Sequence, residues 1–224
     1  MKIIHIISGG MDSVTLLYDL IKQGHEVKCL SFNYGQRHKK ELESAHLTCA
    51  KLNVQHDVID ITSVTSFISN SALTGDVDVP QGHYEEENMK LTVVPSRNTI
   101  MLSIANGYAV NIEYDAVSTA VHAGDHAIYP DCRPIFIDRL QKVFEINNFK
   151  PVQLLAPYLN IDKAGIVKKG LELGVDYNLS WTCYRGHDIA CGKCGSCQER
   201  LESFNKNGVE DPLDYETREL LPKQ

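Results

Sequence analysis

Along the chain, short apolar runs rich in Ile, Val and Leu alternate with longer segments in which apolar residues return every three or four positions. The first pattern suits strands buried on both faces, and the second suits helices with one apolar side. Strands are expected at 2–7, 26–33, 57–61, 116–121 and 152–156, and helices at 13–22, 39–52, 98–110, 134–146 and 162–173. Their alternation predicts an α/β fold, a parallel sheet flanked by helices. The stretch 62–92 breaks the pattern: rich in Ser, Thr, Asp, Glu and Gly, it is expected to be an irregular connection serving as a mobile cover. The tail beyond residue 209 is expected to be surface structure, and no internal repeat appears.

A length of 224 residues with 43% hydrophobic content suffices for one globular unit with a real core. The opening MKIIHIISGGMDS is broken too early by glycines and Asp12 to be a signal peptide, and no run is long enough to span a membrane. A cytoplasmic protein without a membrane partner is therefore expected. Net charge is −7 and the basic residues are dispersed, so nothing suggests direct nucleic-acid binding. A small-molecule substrate is the simpler expectation. Four of the seven cysteines fall between 183 and 197. In a reducing compartment such a cluster binds metal or does redox chemistry more often than it forms disulfides. Cys183, Cys191, Cys194 and Cys197 at this spacing can close a thiolate tetrahedron around one Zn²⁺, with no open position for water. That points to a structural site in which His187 is surplus, although an iron–sulfur cluster needs the same four ligands.

Ser8-Gly9-Gly10-Met11-Asp12-Ser13 links the first strand to an apolar helix. Glycines let backbone approach a ligand closely, and a helix start offers N–H groups and a positive dipole end to an anion. No Gly-Lys-Ser/Thr ending follows, so this is not the Walker pattern. Asp12 beside a phosphate makes sense mainly with Mg²⁺ between them; the alternative is an ordinary turn in which Asp12 or Ser13 caps the helix. The string resembles the PP-loop of the ATP pyrophosphatase superfamily. That resemblance implies ATP as cofactor, held by Ser8, Gly9, Gly10, Met11, Asp12 and Ser13, and adenylation with release of AMP.

Three further clusters sit where strand ends or helix starts are expected. Asn33-Tyr34-Gly35-Gln36-Arg37-His38 precedes a helix carrying Glu41 and Glu43, so Arg37 and His38 are candidate nucleotide contacts or an ordinary polar turn. Val94-Pro95-Ser96-Arg97-Asn98 puts Arg97 at a helix start, as an anion partner or a surface arginine. Residues 122–133 hold Asp125, Tyr129, Asp131 and Arg133, which suit a polar planar heterocycle bearing a carboxylate. Cys132 reads as a buried structural thiol rather than a nucleophile.

These motifs, with Ile161-Asp162-Lys163 and Cys-Gly-x-Cys-x-x-Cys, together resemble the 7-cyano-7-deazaguanine synthase family of queuosine biosynthesis. The resemblance runs from Ser8 to Cys197. It implies that 7-carboxy-7-deazaguanine and ammonia become the 7-cyano base through adenylated carboxylate and amide intermediates, with ATP and Mg²⁺. It further implies a homodimer, structural zinc at the four cysteines, and Asp12, Arg97 and Lys163 as catalytic groups, with Lys163 otherwise a plain surface lysine. Asp125, Tyr129, Asp131 and Arg133 would contact the base. The expected organisation is an ATP-binding and substrate domain over 1–180 with a zinc-binding segment over 181–224 packed on it. Gly124 to Ile128 departs from the usual family sequence, which leaves the pocket wall there open. The rivals are another PP-loop amidating or thiolating enzyme and a zinc-bearing interaction module on an inactive nucleotide fold.

Overall fold

The computed structural model describes residues 1–36, 39–68, 71–74, 87–185 and 188–221. Five parallel strands, β1 (Lys2–Ile6), β2 (Glu26–Asn33), β3 (His56–Asp60), β4 (Ala116–Ser118) and β5 (Gln153–Leu155), lie in the order β3-β2-β1-β4-β5. Successive side chains of a strand face opposite ways. Ile4 and Val117 accordingly enter one apolar layer, Ile3 and Ala116 the other. The first layer packs under α4 (Arg97–Asn111) and α5 (Pro134–Phe144) through Leu102, Ala105, Ile137 and Leu140. The second packs under α1 (Met11–Lys22) and α6 (Lys163–Leu173) through Leu16, Leu20 and Ile166. Helix α2 (Lys40–Lys51) joins that side through Ala45 and Cys49. Strand order reverses between β1 and β4, and a crevice opens beyond their carboxyl ends, where α/β sheets bind ligands.

Most expected elements form, and the departures have identifiable causes. Helix α1 starts at Met11 with Gly10 as its cap, so Asp12 and Ser13 lie within the first turn rather than capping it. The strand expected over 116–121 stops at Ser118; beyond it, Thr119, Ala120 and Val121 leave the sheet and line the crevice. The connection 62–92 is not a free cover where it is described. It contains α3 (Thr62–Thr65) and a 3₁₀ turn over Glu87–Thr92, and Thr65, Ala72, Met89 and Thr92 are buried. The threonines explain this: Thr65 donates to Tyr34 O at 2.8 Å, and Thr92 Oγ1 pairs with the Tyr129 hydroxyl at 2.6 Å.

Helix α7 (Gly195–Lys206) has no counterpart in the hydrophobic pattern, because the residues it buries include Ser196, Gln198, Arg200 and Ser203. Arg200, fully buried, is the cause. Its Nε and Nη2 donate to Asp211 at 2.7 and 2.9 Å, and its other donors reach Ser180, Thr182 and Tyr177. Tyr215 donates to the same carboxylate at 2.7 Å. The tail lies on the surface as expected, and its one buried residue among those described, Asp211, pins it through this ion pair. Among the described residues no helix is long and apolar enough to cross a membrane.

Removing one member of a buried, fully hydrogen-bonded pair strands the other charge. Arg200→Ala is expected to lower the unfolding free energy of the metal-loaded chain by about 3–5 kcal/mol. Chemical denaturation measures it, and a loss below about 1 kcal/mol would show that the tail is not fastened there.

Candidate active site

The loop after β1 is shaped by two glycines. Gly9 adopts φ +88°, and a Cβ on it would fall 2.0 Å from Glu41 O, so only glycine lets α2 pack against the loop. Its carbonyl accepts from Trp181 N at 2.9 Å, which ties the C-terminal segment to the same loop. Gly10 caps α1 without any side-chain hydrogen bond to the helix start. The first-turn N–H groups therefore remain for an anion, with the helix dipole behind them. Ser8 and Ser13 brace the turn: Ser8 N donates to Ser13 Oγ at 3.2 Å, and Ser13 Oγ donates to Gly10 O at 3.0 Å. Beneath it lies His5, fully buried, 2.8 Å from Ser13 O and 2.9 Å from Ser118 Oγ. Burial lowers its pKa to about 4, so the ring is neutral, with Nε2–H donating to the Ser13 carbonyl and Nδ1 accepting from Ser118.

Beside the loop is a buried group of charges. Lys163, only 7% exposed, places Nζ 2.9 Å from Asp12 Oδ2 and 3.0 Å from Glu199 Oε2. Burial by itself would lower the lysine pKa, but Asp12 and Glu199 hold it well above the ordinary range. Burial pushes Asp12 up, yet Lys163 and His122 overcome this and keep it ionised below its usual pKa. His122 Nδ1 accepts from Gly124 N, which leaves Nε2 to face Asp125 Oδ1 at 3.4 Å and Asp12 Oδ2 at 3.9 Å. Asp12 Oδ1 is buried and has no hydrogen-bond partner among the described residues. A bare carboxylate oxygen next to an anion cradle is a ready donor to a hard cation.

The cleft, of about 250 Å³, is closed on another side by Phe32, Tyr34, Met101 and Tyr129. Arg97 opens α4 and lies 5.7 Å from the Tyr34 ring and 6.0 Å from the Tyr129 ring. Burial would lower its pKa, but Tyr34, Tyr129, Cys132 and Asp131 hold it above the ordinary range, so it stays charged in an aromatic frame. Glu41 also lines the cleft, and burial pushes it up to about 7 despite the opposing pull of Arg97.

Ser8, Gly10, Asp12, Ser13, Arg97, Asp125, Tyr129 and Lys163 thus share one cleft. Met11 instead buries its side chain with Val167, Tyr177 and Phe204, so only its backbone is offered to the loop. Two expected base contacts are displaced. Asp131 turns to α4 and accepts from Asn98 N at 3.1 Å, while Arg133 is exposed and donates to His126 O at 2.9 Å; neither lines the cleft. Burial raises the Cys132 thiol far above its usual pKa, as suits a structural residue. Arg37, His38 and His187 lie outside the described residues. Glu199 and Trp181 carried no periodic or motif signal, since neither falls within a recognisable spacing.

The Sγ atoms of Cys183, Cys191, Cys194 and Cys197 lie within 4.8 Å of one another, all buried. None is in a disulfide. Lys193 N and Cys194 N donate to Cys191 Sγ at 3.4 and 3.3 Å, the N–H···S pattern that stabilises a thiolate. Gly192 adopts φ +69°, and a Cβ there would strike Thr217 O, so the tail closes directly over the cluster. Cys183 and Ser196 also line the cleft, which makes the cysteine cluster one of its walls.

The raised Glu41 pKa has a stability consequence. Between about pH 4.5 and about pH 7 the folded chain keeps a proton that the unfolded chain has released, so stability falls as pH rises through that window. Glu41→Gln is expected to remove this loss, on the order of 1–3 kcal/mol. Denaturation of both proteins at about pH 5 and pH 7.5 checks it; parallel pH profiles would place the titration elsewhere.

Comparison with known proteins agrees with this architecture. The family model of queuosine biosynthesis protein QueC matches residues 2–208. The 7-cyano-7-deazaguanine synthase of Hahella chejuensis is 56% identical over 216 residues, covering 96% of this chain and 94% of that protein. The enzyme of that name from Pseudoalteromonas atlantica is 54% identical over 215 residues, covering 96% and 99%. Among solved structures, NMN synthetase from Francisella tularensis has a TM-score of 0.53 at 14% identity, covering 93% of this chain and 77% of that one. A predicted tRNA methyltransferase subunit from Methanocaldococcus jannaschii has a TM-score of 0.52 at 16% identity, covering 94% and 90%. At these identities the two structures share the fold alone. Because the family model spans nearly the whole chain and relatives above half identity align end to end with it, this chain belongs to the queuosine biosynthesis protein QueC family.

Proposed function

We propose that the chain converts 7-carboxy-7-deazaguanine and ammonia into 7-cyano-7-deazaguanine at the expense of ATP. The observation that carries the reading is the uncapped start of α1 facing Lys163 and the unpartnered Asp12 oxygen in one cleft. The family relatives bear the name of that activity.

A carboxylate is a poor electrophile. Transfer of AMP to its oxygen, with loss of pyrophosphate, makes it one that ammonia can attack to give an amide and AMP. A second adenylation, on the amide oxygen, sets up elimination of AMP to leave the nitrile. In this reading Ser8, Gly9, Gly10, Met11 and Ser13 bind the departing pyrophosphate through N–H groups and hydroxyls, and Lys163 neutralises charge that accumulates on the phosphates. Asp12 Oδ1 fits a Mg²⁺ ligand, and when bound that ion would supply further neutralisation at the phosphates. Arg97, held charged between Tyr34 and Tyr129, pairs with the carboxylate or α-phosphate, while Asp125 and Tyr129 contact the base. Asp131 and Arg133 act from outside the cleft, holding α4 and the 123–127 turn in place. No nucleophilic side chain is needed, because positioning and electrostatics suffice for such transfers.

The four buried thiols suit one Zn²⁺ better than an iron–sulfur cluster, since the proposed chemistry moves no electrons and a closed thiolate set leaves no reactive position. The homodimer and the cytoplasmic location in this reading rest on the family resemblance and the sequence alone.

With ATP, Mg²⁺, ammonium and the 7-carboxy base, the purified chain should release AMP and form the 7-cyano base. Asp12→Asn should slow AMP release at least about 100-fold with circular dichroism unchanged. AMP without nitrile would turn the assignment toward another amidating enzyme. Stripping the metal with a chelator should lower Tm by more than about 5 °C and weaken ATP binding, both restored by Zn²⁺. Unchanged binding in the stripped protein would separate the cysteine cluster from the cleft.

A further inference from the structure

We propose that Glu199 is a positioning residue that holds the Lys163 ammonium in place while Asp12 is engaged with nucleotide and cation. The proposal rests on the functional reading above. Glu199 sits on α7, two residues past the last cysteine of the cluster, and no part of the adenylation scheme needed it. Yet its Oε2 lies 3.0 Å from Lys163 Nζ, whose other carboxylate partner is Asp12 Oδ2 at 2.9 Å.

The two acids have different fates during turnover. Asp12 lies on the nucleotide loop and has an unpartnered oxygen, so a cation there competes with the lysine for its charge. A buried ammonium that loses its counter-charge is costly and will move toward whatever anion is nearest. Glu199 lines no part of the cleft itself and is set behind Lys163, so it remains paired when Asp12 turns to the cation. The ammonium then points at the phosphates from a fixed distance rather than following Asp12.

The carboxylate is held in that position from two directions. Helix α7 is anchored by the buried Arg200–Asp211 pair one residue further on, and Ser203 donates to Glu199 O at 2.6 Å. The backbone of Gly124 fits closely against it and against His122: a Cβ at 124 would lie 2.8 Å from Glu199 Oε1 and 2.8 Å from His122 Cε1. A side chain at 124 would therefore displace the carboxylate tip, the His122 ring or both.

Glu199→Gln, Glu199→Asp and Gly124→Ala, each in the metal-loaded full chain, separate positioning from folding. Glu199→Gln keeps size but removes the charge. Its kcat should fall about 10- to 100-fold, while KM for the 7-carboxy base stays within about twofold, with the chain fully folded and metal-loaded at the assay temperature. Glu199→Asp should recover part of kcat. Gly124→Ala, which also presses on His122, should lose kcat in the same sense. The proposal is overturned if Glu199→Gln retains kcat within about twofold, if its loss tracks metal content or folded fraction, or if the loss lies in KM alone. Wild-type protein that releases AMP but forms no nitrile defeats the functional reading alone, and Glu199→Gln is then judged on AMP turnover. Wild-type protein that turns over no ATP overturns both.

Discussion

A lysine ammonium inside a protein has to be met by charge, and here Lys163 draws that charge from two helices other than its own. Asp12 comes from the first turn of α1 and Glu199 from α7, so a single buried cation joins the nucleotide loop, α6 and the cysteine-bearing end of the chain. Leaving any one of the three groups uncompensated would cost more than most surface contacts contribute. The rest of the site follows from that constraint. The loop must bring Asp12 inward, α6 must start where Lys163 reaches it, and α7 must lie close enough for Glu199. Asp162 helps with the second requirement by capping α6 through Gly165 N at 2.8 Å.

The sheet supplies the frame in which these requirements are compatible. With β1 central and the order reversing beside it, the carboxyl ends of β1 and β4 diverge, and the loops that follow carry Asp12 and His122 toward each other. His5 fastens the two strands at that point, reaching Ser118 on β4 and Ser13 on α1 as a neutral ring. A charged imidazole there would have no ion pair among the described residues. The low pKa is thus the electrostatic signature of a structural tie, placed directly below groups that do carry charge.

The cysteine cluster has two relations to the chemistry. Its thiols are closed on themselves and offer no reactive position, but the segment that bears them builds the cleft wall through Trp181, Thr182, Cys183 and Ser196. The Arg200–Asp211 pair extends that arrangement to the tail, so the last described strand of backbone is held by the same helix that delivers Glu199. The cluster in this way contributes to the shape of the cleft.

What the sequence by itself determined was whatever is written in local period or fixed spacing. Alternating apolar runs were enough for the α/β class, and strand 26–33 is observed as Glu26–Asn33. Ser8 to Ser13 was legible as a glycine turn into a helix start because such preferences act within a few residues, and the four cysteines as one cluster because their spacing is short-range. Only the tertiary structure decided which polar residues meet. Asp125 and Asp131 are six positions apart and look equivalent, yet one faces the cleft and the other braces α4. Helix α7 was invisible because it buries Arg200 and Gln198 where a pattern reader expects Leu, and such burial is tolerable only once Asp211, Ser180 and the tail arrive as partners. Glu199 was hidden for the same reason: charge pairing acts through space, and nothing in its neighbours along the chain says that Lys163 will be there.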